Sequence, residues 1–145
     1  MASGIQGDEY AVLVPPQLID NGAPAGITYT DMKDAYHATF ILTLGTTDVA
    51  TTAAPKVQEC DTTDGTYNDV TGAALADAPA AGEDDTNFVI NVDLRKLPSP
   101  KRYMKLLLTA GNGTTGTNMS VICIKKKNKG AENATDAGVT ELVNV

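Results

Sequence analysis

The chain has 145 residues, 42% of them hydrophobic and 20% charged, which fits one domain with a real core and excludes disorder as the default state. A net charge of −7 excludes a broad basic face for phosphate backbones, so nucleic acid is not an expected partner. Aromatic residues make up only 5%, with no Trp, so the core must be built from Val, Leu, Ile and Ala, which suits the thin space between two packed sheets.

Residues 1–9 are small and polar and read as a flexible N-terminal arm, ahead of one β domain over residues 10–145. They carry neither the basic start nor the apolar stretch of a signal peptide. No apolar run reaches the roughly 18 residues of a membrane-spanning helix, so cytosolic synthesis without a membrane partner is expected. Tyr10-Ala11-Val12-Leu13-Val14 is a short apolar run that is stopped by Pro15-Pro16. Proline has no N–H for a ladder hydrogen bond, so this run is expected at a sheet edge or in an extended arm. Asn21-Gly22, Pro24 and Gly26 make residues 17–26 a loop. Ala38, Phe40, Leu42 and Leu44 then alternate with His37, Thr39, Ile41 and Thr43, the period of a strand over residues 35–44, and Gly45 closes it.

After a polar connection, Lys56-Val57-Gln58-Glu59-Cys60 reads as a weaker strand. Asp64-Gly65 offers a tight hairpin turn of the primed type, with residues 67–70 as the return. Residues 73–85, rich in Ala, Gly, Pro and acids, read as a long loop. Phe88, Ile90, Val92 and Leu94 alternate with Val89, Asn91 and Asp93 in a further strand, broken by Leu97-Pro98-Ser99-Pro100. Residues 103–110 set Met104, Leu106 and Leu108 against Tyr103, Lys105 and Leu107. A polar loop from Gly111 to Asn118 leads to residues 119–126 as the matching return strand. Residues 130–138 read as a linker and residues 139–145 as a last strand. Seven or eight short strands with turn signals and no convincing helix define an all-β chain, a single antiparallel β-sandwich of jelly-roll or immunoglobulin-like type.

Catalytic chemistry finds little support. His37 is the only His, and a general base needs a positioned nucleophile and an orienting acid. No G-x-S-x-G elbow occurs, so His37 reads as a surface or interface residue. Asp61, Asp64 and Asp69, and the run Glu83-Asp84-Asp85, fit the local hydrogen bonds of turns better than a pair of hydrolytic carboxyls. Asp61-Thr62-Thr63-Asp64-Gly65 gathers hard oxygen donors but does not follow EF-hand spacing, so no metal is expected. Cys60 and Cys123 form no CxxC pair, and one His cannot complete a zinc set. Cys123, flanked by Val121, Ile122 and Ile124, reads as a buried thiol, and its pairing with Cys60 stays open. Gly111-Asn112-Gly113 lacks the Lys and Ser/Thr of a phosphate loop and suits a hairpin tip. Lys125-Lys126-Lys127 reads as the solvated end of a strand or as a docking patch for an acidic surface. No cofactor is expected and the chain is read as a non-enzyme.

A series of short segments carries a family resemblance: Phe40-Ile41-Leu42-Thr43-Leu44-Gly45, Lys56-Val57-Gln58-Glu59, and the stretch from Asp64-Gly65-Thr66-Tyr67 through Asn68-Asp69-Val70-Thr71-Gly72-Ala73. Asn91-Val92-Asp93-Leu94 and Arg102-Tyr103-Met104-Lys105 follow. In this order, over about two-thirds of the chain, the sequence resembles small phage virion proteins of the cement or decoration type. Tyr67 stands where a Trp is more usual, and the loop at residues 73–85 is long and Ala-rich.

The resemblance implies a structural protein on the outer surface of an expanded tailed-phage capsid. Its implied partner is the major capsid protein, and its implied location is the virion surface after synthesis in the host cytoplasm. It also implies a homo-oligomer, with a trimer preferred and dimer or monomer left open. Contacts are expected from the arm with Tyr10, Val12, Leu13 and Val14 laid on a neighbour's sheet edge. The tips at Asp64, Gly65 and Asn112 and the basic Lys125 and Lys126 are further candidates, with many weak contacts adding through multivalency. A tail, neck or fibre component would leave the same signature. A carbohydrate-binding module is the alternative from another class, through Tyr67 or Tyr103, although five scattered Tyr and no Trp count against it.

Overall fold

Alternation along a strand separates a buried side from an open one, and register between strands then decides which side chains meet. The computed structural model describes residues 8–24, 27–47, 53–111, 116–127 and 141–145. These residues form nine strands: β1 (Asp8–Ile19), β2 (Thr30–Asp31), β3 (His37–Thr47), β4 (Lys56–Cys60), β5 (Asn68–Ala74), β6 (Asn87–Asp93), β7 (Tyr103–Leu107), β8 (Thr117–Lys126) and β9 (Glu141–Asn144). A five-stranded sheet in the order β1-β8-β3-β6-β9 packs on a four-stranded sheet in the order β2-β7-β4-β5. The chain is therefore an all-β sandwich. Neighbouring strands are antiparallel except β9, which runs parallel to β6.

The core is the layer of inward positions. Ala38, Phe40, Leu42 and Leu44 of β3, Phe88, Ile90 and Val92 of β6, and Met119, Val121 and Cys123 of β8 face Val57, Val70, Ala73, Met104 and Leu106 of the other sheet. Each fully buried aliphatic or Phe side chain stabilises the fold by about 1.5–3 kcal/mol. β9 is tied to both sheets. Asn91 Nδ2 donates to Asn144 Oδ1 at 2.8 Å, and the backbone N–H of Ala76, just beyond β5, donates to Glu141 Oε1 at 2.7 Å.

Several sequence expectations change. β1 runs through Pro15 and Pro16 as an edge strand, with register shifts between Val12 and Val14 and between Val14 and Gln17. The first shift turns both Leu13 and Val14 into the core, so neither is available as a contact residue. Asp8 and Glu9 belong to β1 and not to an arm, while residues 1–7 lie outside the described residues. β7 and β8 are not a hairpin. β7 pairs with β2 and β4, and β8 pairs with β1 and β3 in the other sheet. Local alternation is identical for a hairpin and for a crossing between sheets, so only tertiary packing separates them. β4 and β5 do form a hairpin, but its connection is long and Gly65 does not adopt positive φ. A Cβ at Gly65 would lie 2.5 Å from Thr62 Oγ1 and 2.6 Å from Cys60 Sγ, so this glycine is required by close packing and not by a primed turn. β2 has two residues, too short for any periodic signal. The linker at residues 130–138 and the candidate Asn112 lie outside the described residues.

Candidate functional site

The outer face of the five-stranded sheet is ordered in rows by strand register. Val12, Ile122, Ile41, Val89 and Leu142 stand opposite one another in turn, giving one aliphatic row across all five strands. The adjacent row holds Tyr10, Ile124, Thr39, Asn91 and Asn144, and the next holds Asp8, Lys126, His37 and Asp93. On the other side of the aliphatic row stand Ser120, Thr43 and Asn87. The face is thus charged at one end, apolar in the middle and polar at the other end.

Exposure splits the face in two. At the β1 side Tyr10 is 63% exposed, Val12 59%, Ile122 36% and, beyond the prolines, Leu18 57%. At the β6 side Val89, Asn91 and Asp93 are buried. The open half is an apolar patch on the order of a few hundred Å², comparable with the largest patch of an ordinary monomer, which is often where contacts are made. Tyr10 and Val12 were legible as candidates. Ile122 was missed because it lies inside an apolar run that reads as core, and its strand phase, opposite Val121 and Cys123, was the available signal.

The buried half carries polar chains. Thr39 Oγ1 donates to Asn91 Oδ1 at 2.8 Å, and Asn91 passes the chain on to Asn144. His37 is buried and not the surface or interface residue expected. Its Nε2 lies 3.0 Å from Arg95 Nη2, and a guanidinium only donates, so Nε2 accepts and the ring proton sits on Nδ1. Nδ1 is 4.0 Å from Asp93 Oδ2, too far for a hydrogen bond, and finds no other partner among the described residues. Asp93 accepts from Arg95 Nε and Nη2 at 2.9 Å, which holds its carboxyl below the usual range against the opposing effect of burial. A general base needs its accepting nitrogen turned to a nucleophile, and Arg95 occupies that nitrogen.

Lys125 reverses both of its sequence readings. Its side chain points inward and is buried, with Nζ 2.7 Å from Glu9 Oε1 and 2.9 Å from the carbonyl oxygen of Asp31. It therefore joins β8 to β1 and to β2 of the opposite sheet, and it is not a contact residue. Hydrogen bonds from Lys125 and then Lys127 hold the Glu9 carboxyl below its ordinary value. Lys126 stays on the outer face, half-buried between Asp8 and His37. Asp64 and Gly65 are exposed beyond β4 in the other sheet and do not join this face.

Three of the five tyrosines, scattered in sequence, meet at the four-stranded sheet. The rings of Tyr29 and Tyr103 pack edge to face at 5.3 Å, Arg102 lies 5.3 Å over Tyr103, and Lys105 Nζ lies 4.3 Å over Tyr67. Burial raises the pKa of the Tyr67 hydroxyl. An open groove of about 540 Å³ runs past Met32, Tyr36 and Leu94, and three of its four lining cations, Arg95, Lys101 and Arg102, are paired with Asp93, Asp61 and Asp31, the fourth being Lys33. Both cysteines are free, and burial pushes the Cys123 thiol up to about 12. Among the described residues no three His, Cys, Asp or Glu side chains gather as a metal site. Comparison with protein-family models, with curated proteins and with solved structures found no match to this chain.

Proposed function

We propose that this chain is a structural, non-catalytic protein that docks on the outer surface of a tailed-phage capsid as a cement or decoration protein, with the major capsid protein as its partner. The observation that carries the reading is the open half of the outer sheet face, where Tyr10, Val12, Leu18 and Ile122 present apolar surface on a rigid β framework. The segment-by-segment resemblance to cement proteins adds to it. Flat apolar patches suit protein contacts, and repetition over a capsid lattice makes weak contacts cumulative. The test is the copy number of the chain in purified virions by quantitative mass spectrometry, together with binding to expanded heads. Copies comparable with the major capsid protein, and binding lost in V12D/I122D with the fold intact, support the reading. A handful of copies moves it to a tail, neck or fibre component, and absence from particles sinks it.

A carbohydrate-binding module is the second reading, favoured by the convergence of Tyr29, Tyr67 and Tyr103 that the sequence did not reveal. Sugar faces stack on such rings, and Tyr29 is the most exposed of the three. A glycan array in which a positive signal disappears with Tyr29→Ala would support it, and a blank array would end it.

A further inference from the structure

The last strand of an open sheet leaves a row of N–H and C=O groups unpaired, a template for another strand. β1 is such a strand, bonded to β8 on its inner side. On its outer side the carbonyl of Leu13 accepts from the backbone N–H of Thr28 at 3.0 Å and from Thr28 Oγ1 at 3.3 Å. Pro15 and Pro16 beyond it have no N–H to offer. Residues 8–12 remain, and among the described residues nothing pairs with their outer edge. This stretch is held in place, because Glu9 is bound by Lys125 at 2.7 Å and Lys127 at 3.0 Å. It also carries Tyr10 and Val12, the two most exposed large apolar side chains among the described residues.

We propose that residues 8–12 of β1 pair with the same residues of a second copy of this chain, antiparallel about a twofold axis at Tyr10. The register follows from the residues. Centred on Tyr10, all five residues pair: Tyr10 faces Tyr10 of the second copy, Asp8 faces Val12, and Glu9 faces Ala11. No like charges are opposed, and the central pair is aromatic. A shift toward the N-terminus sets Glu9 against Glu9, which is destabilising. A shift toward the C-terminus runs into Leu13, whose carbonyl is already taken. A one-residue slip sets outward side chains against inward ones. The result is one sheet continuous through both copies, in which the Tyr10 row of one meets the Tyr10 row of the other and each aliphatic row at Val12 runs on into the other copy's row at Asp8. Two copies close this contact, so the threefold arrangement expected from the resemblance would need a different one. Five residues a side make an interface smaller than the roughly 1,200 Å² of stable complexes, so the dimer is reversible and concentration-dependent. The pairing stands apart from the capsid reading, and failure of either leaves the other intact.

The test is sedimentation velocity on the full chain over a concentration series, with cysteine cross-linking to read the register. Opposed residues of an antiparallel pair have Cα atoms about 4.5–5.5 Å apart, within disulfide reach. The expected results are a monomer–dimer equilibrium, rapid interchain cross-linking of Y10C, and only background cross-linking of L18C, which is comparably exposed on the same strand. Y10K sets two ammonium groups on the axis and abolishes the dimer while circular dichroism stays unchanged. A chain that is monomeric at its highest soluble concentration overturns the proposal. So does Y10C cross-linking no faster than L18C, or a dimer indifferent to Y10K.

Discussion

Lys125→Met tests how much one buried ammonium contributes to joining the two sheets. Met keeps most of the aliphatic stem, so the change removes two hydrogen bonds and a charge with little loss of packing. The bond to Glu9 is the smaller loss, because Glu9 is half exposed and keeps Lys127 at 3.0 Å, which limits this part to under about 1 kcal/mol. The larger loss is at Asp31, whose carbonyl oxygen gives up its 2.9 Å donor, at about 1–3 kcal/mol for a polar group left unsatisfied. The sum is about 2 kcal/mol, or a fall in Tm of about 4–8 °C for a chain of this size. Urea denaturation followed by circular dichroism measures it, with Lys127→Met as a control expected to change stability by less than about 0.5 kcal/mol. The pH dependence gives a second reading. The Glu9 carboxyl lies below 4.5 in the folded chain, so its contribution is complete above that value and is lost as pH falls through the lowered pKa. K125M should lose less stability over that acid range than the parent. A variant as stable as the parent, or more so, would refute the reasoning and mean that desolvating the ammonium outweighs its bonds.

Gly65→Ala should destabilise by about 1–3 kcal/mol through overpacking against Thr62 and Cys60, read by urea denaturation, whereas a glycine outside the positive-φ region and without close neighbours would tolerate the change. Asn91→Ala removes the link between Thr39 and Asn144, and about 1–3 kcal/mol of lost hydrogen bonding should appear as faster amide exchange in β9 before the rest of the sheet. Asp31 is held at about 2 against 3.8 by the paired hydrogen bonds from Arg102. Its contribution is complete above about pH 4 and lost toward pH 2, is kept under about 1 kcal/mol by solvent screening, and its pH slope should shrink in Arg102→Met, which leaves the hydrogen bond from the Lys33 N–H in place.

By itself the sequence determined the class of the chain and the phase of its strands. Period-two alternation at residues 38–44 and 88–94 is a local property, and those strands form with the expected side buried. The prolines likewise kept β1 out of a sheet interior, because a missing N–H is a property of the residue alone, while the choice between an edge strand and an extended arm fell to the tertiary structure. Tertiary structure decided what depends on register and on neighbours distant in the chain. The partners of β7 and β8, the inward turn of Leu13 and Val14 at a bulge, and the bonding of Lys125 to Glu9 and Asp31 leave no local trace. The aliphatic row from Val12 to Leu142 and the meeting of Tyr29 with Tyr103 are of the same kind. A side chain's phase is set within its own strand, whereas the face it joins is set by hydrogen bonds between strands that only the folded sandwich brings together.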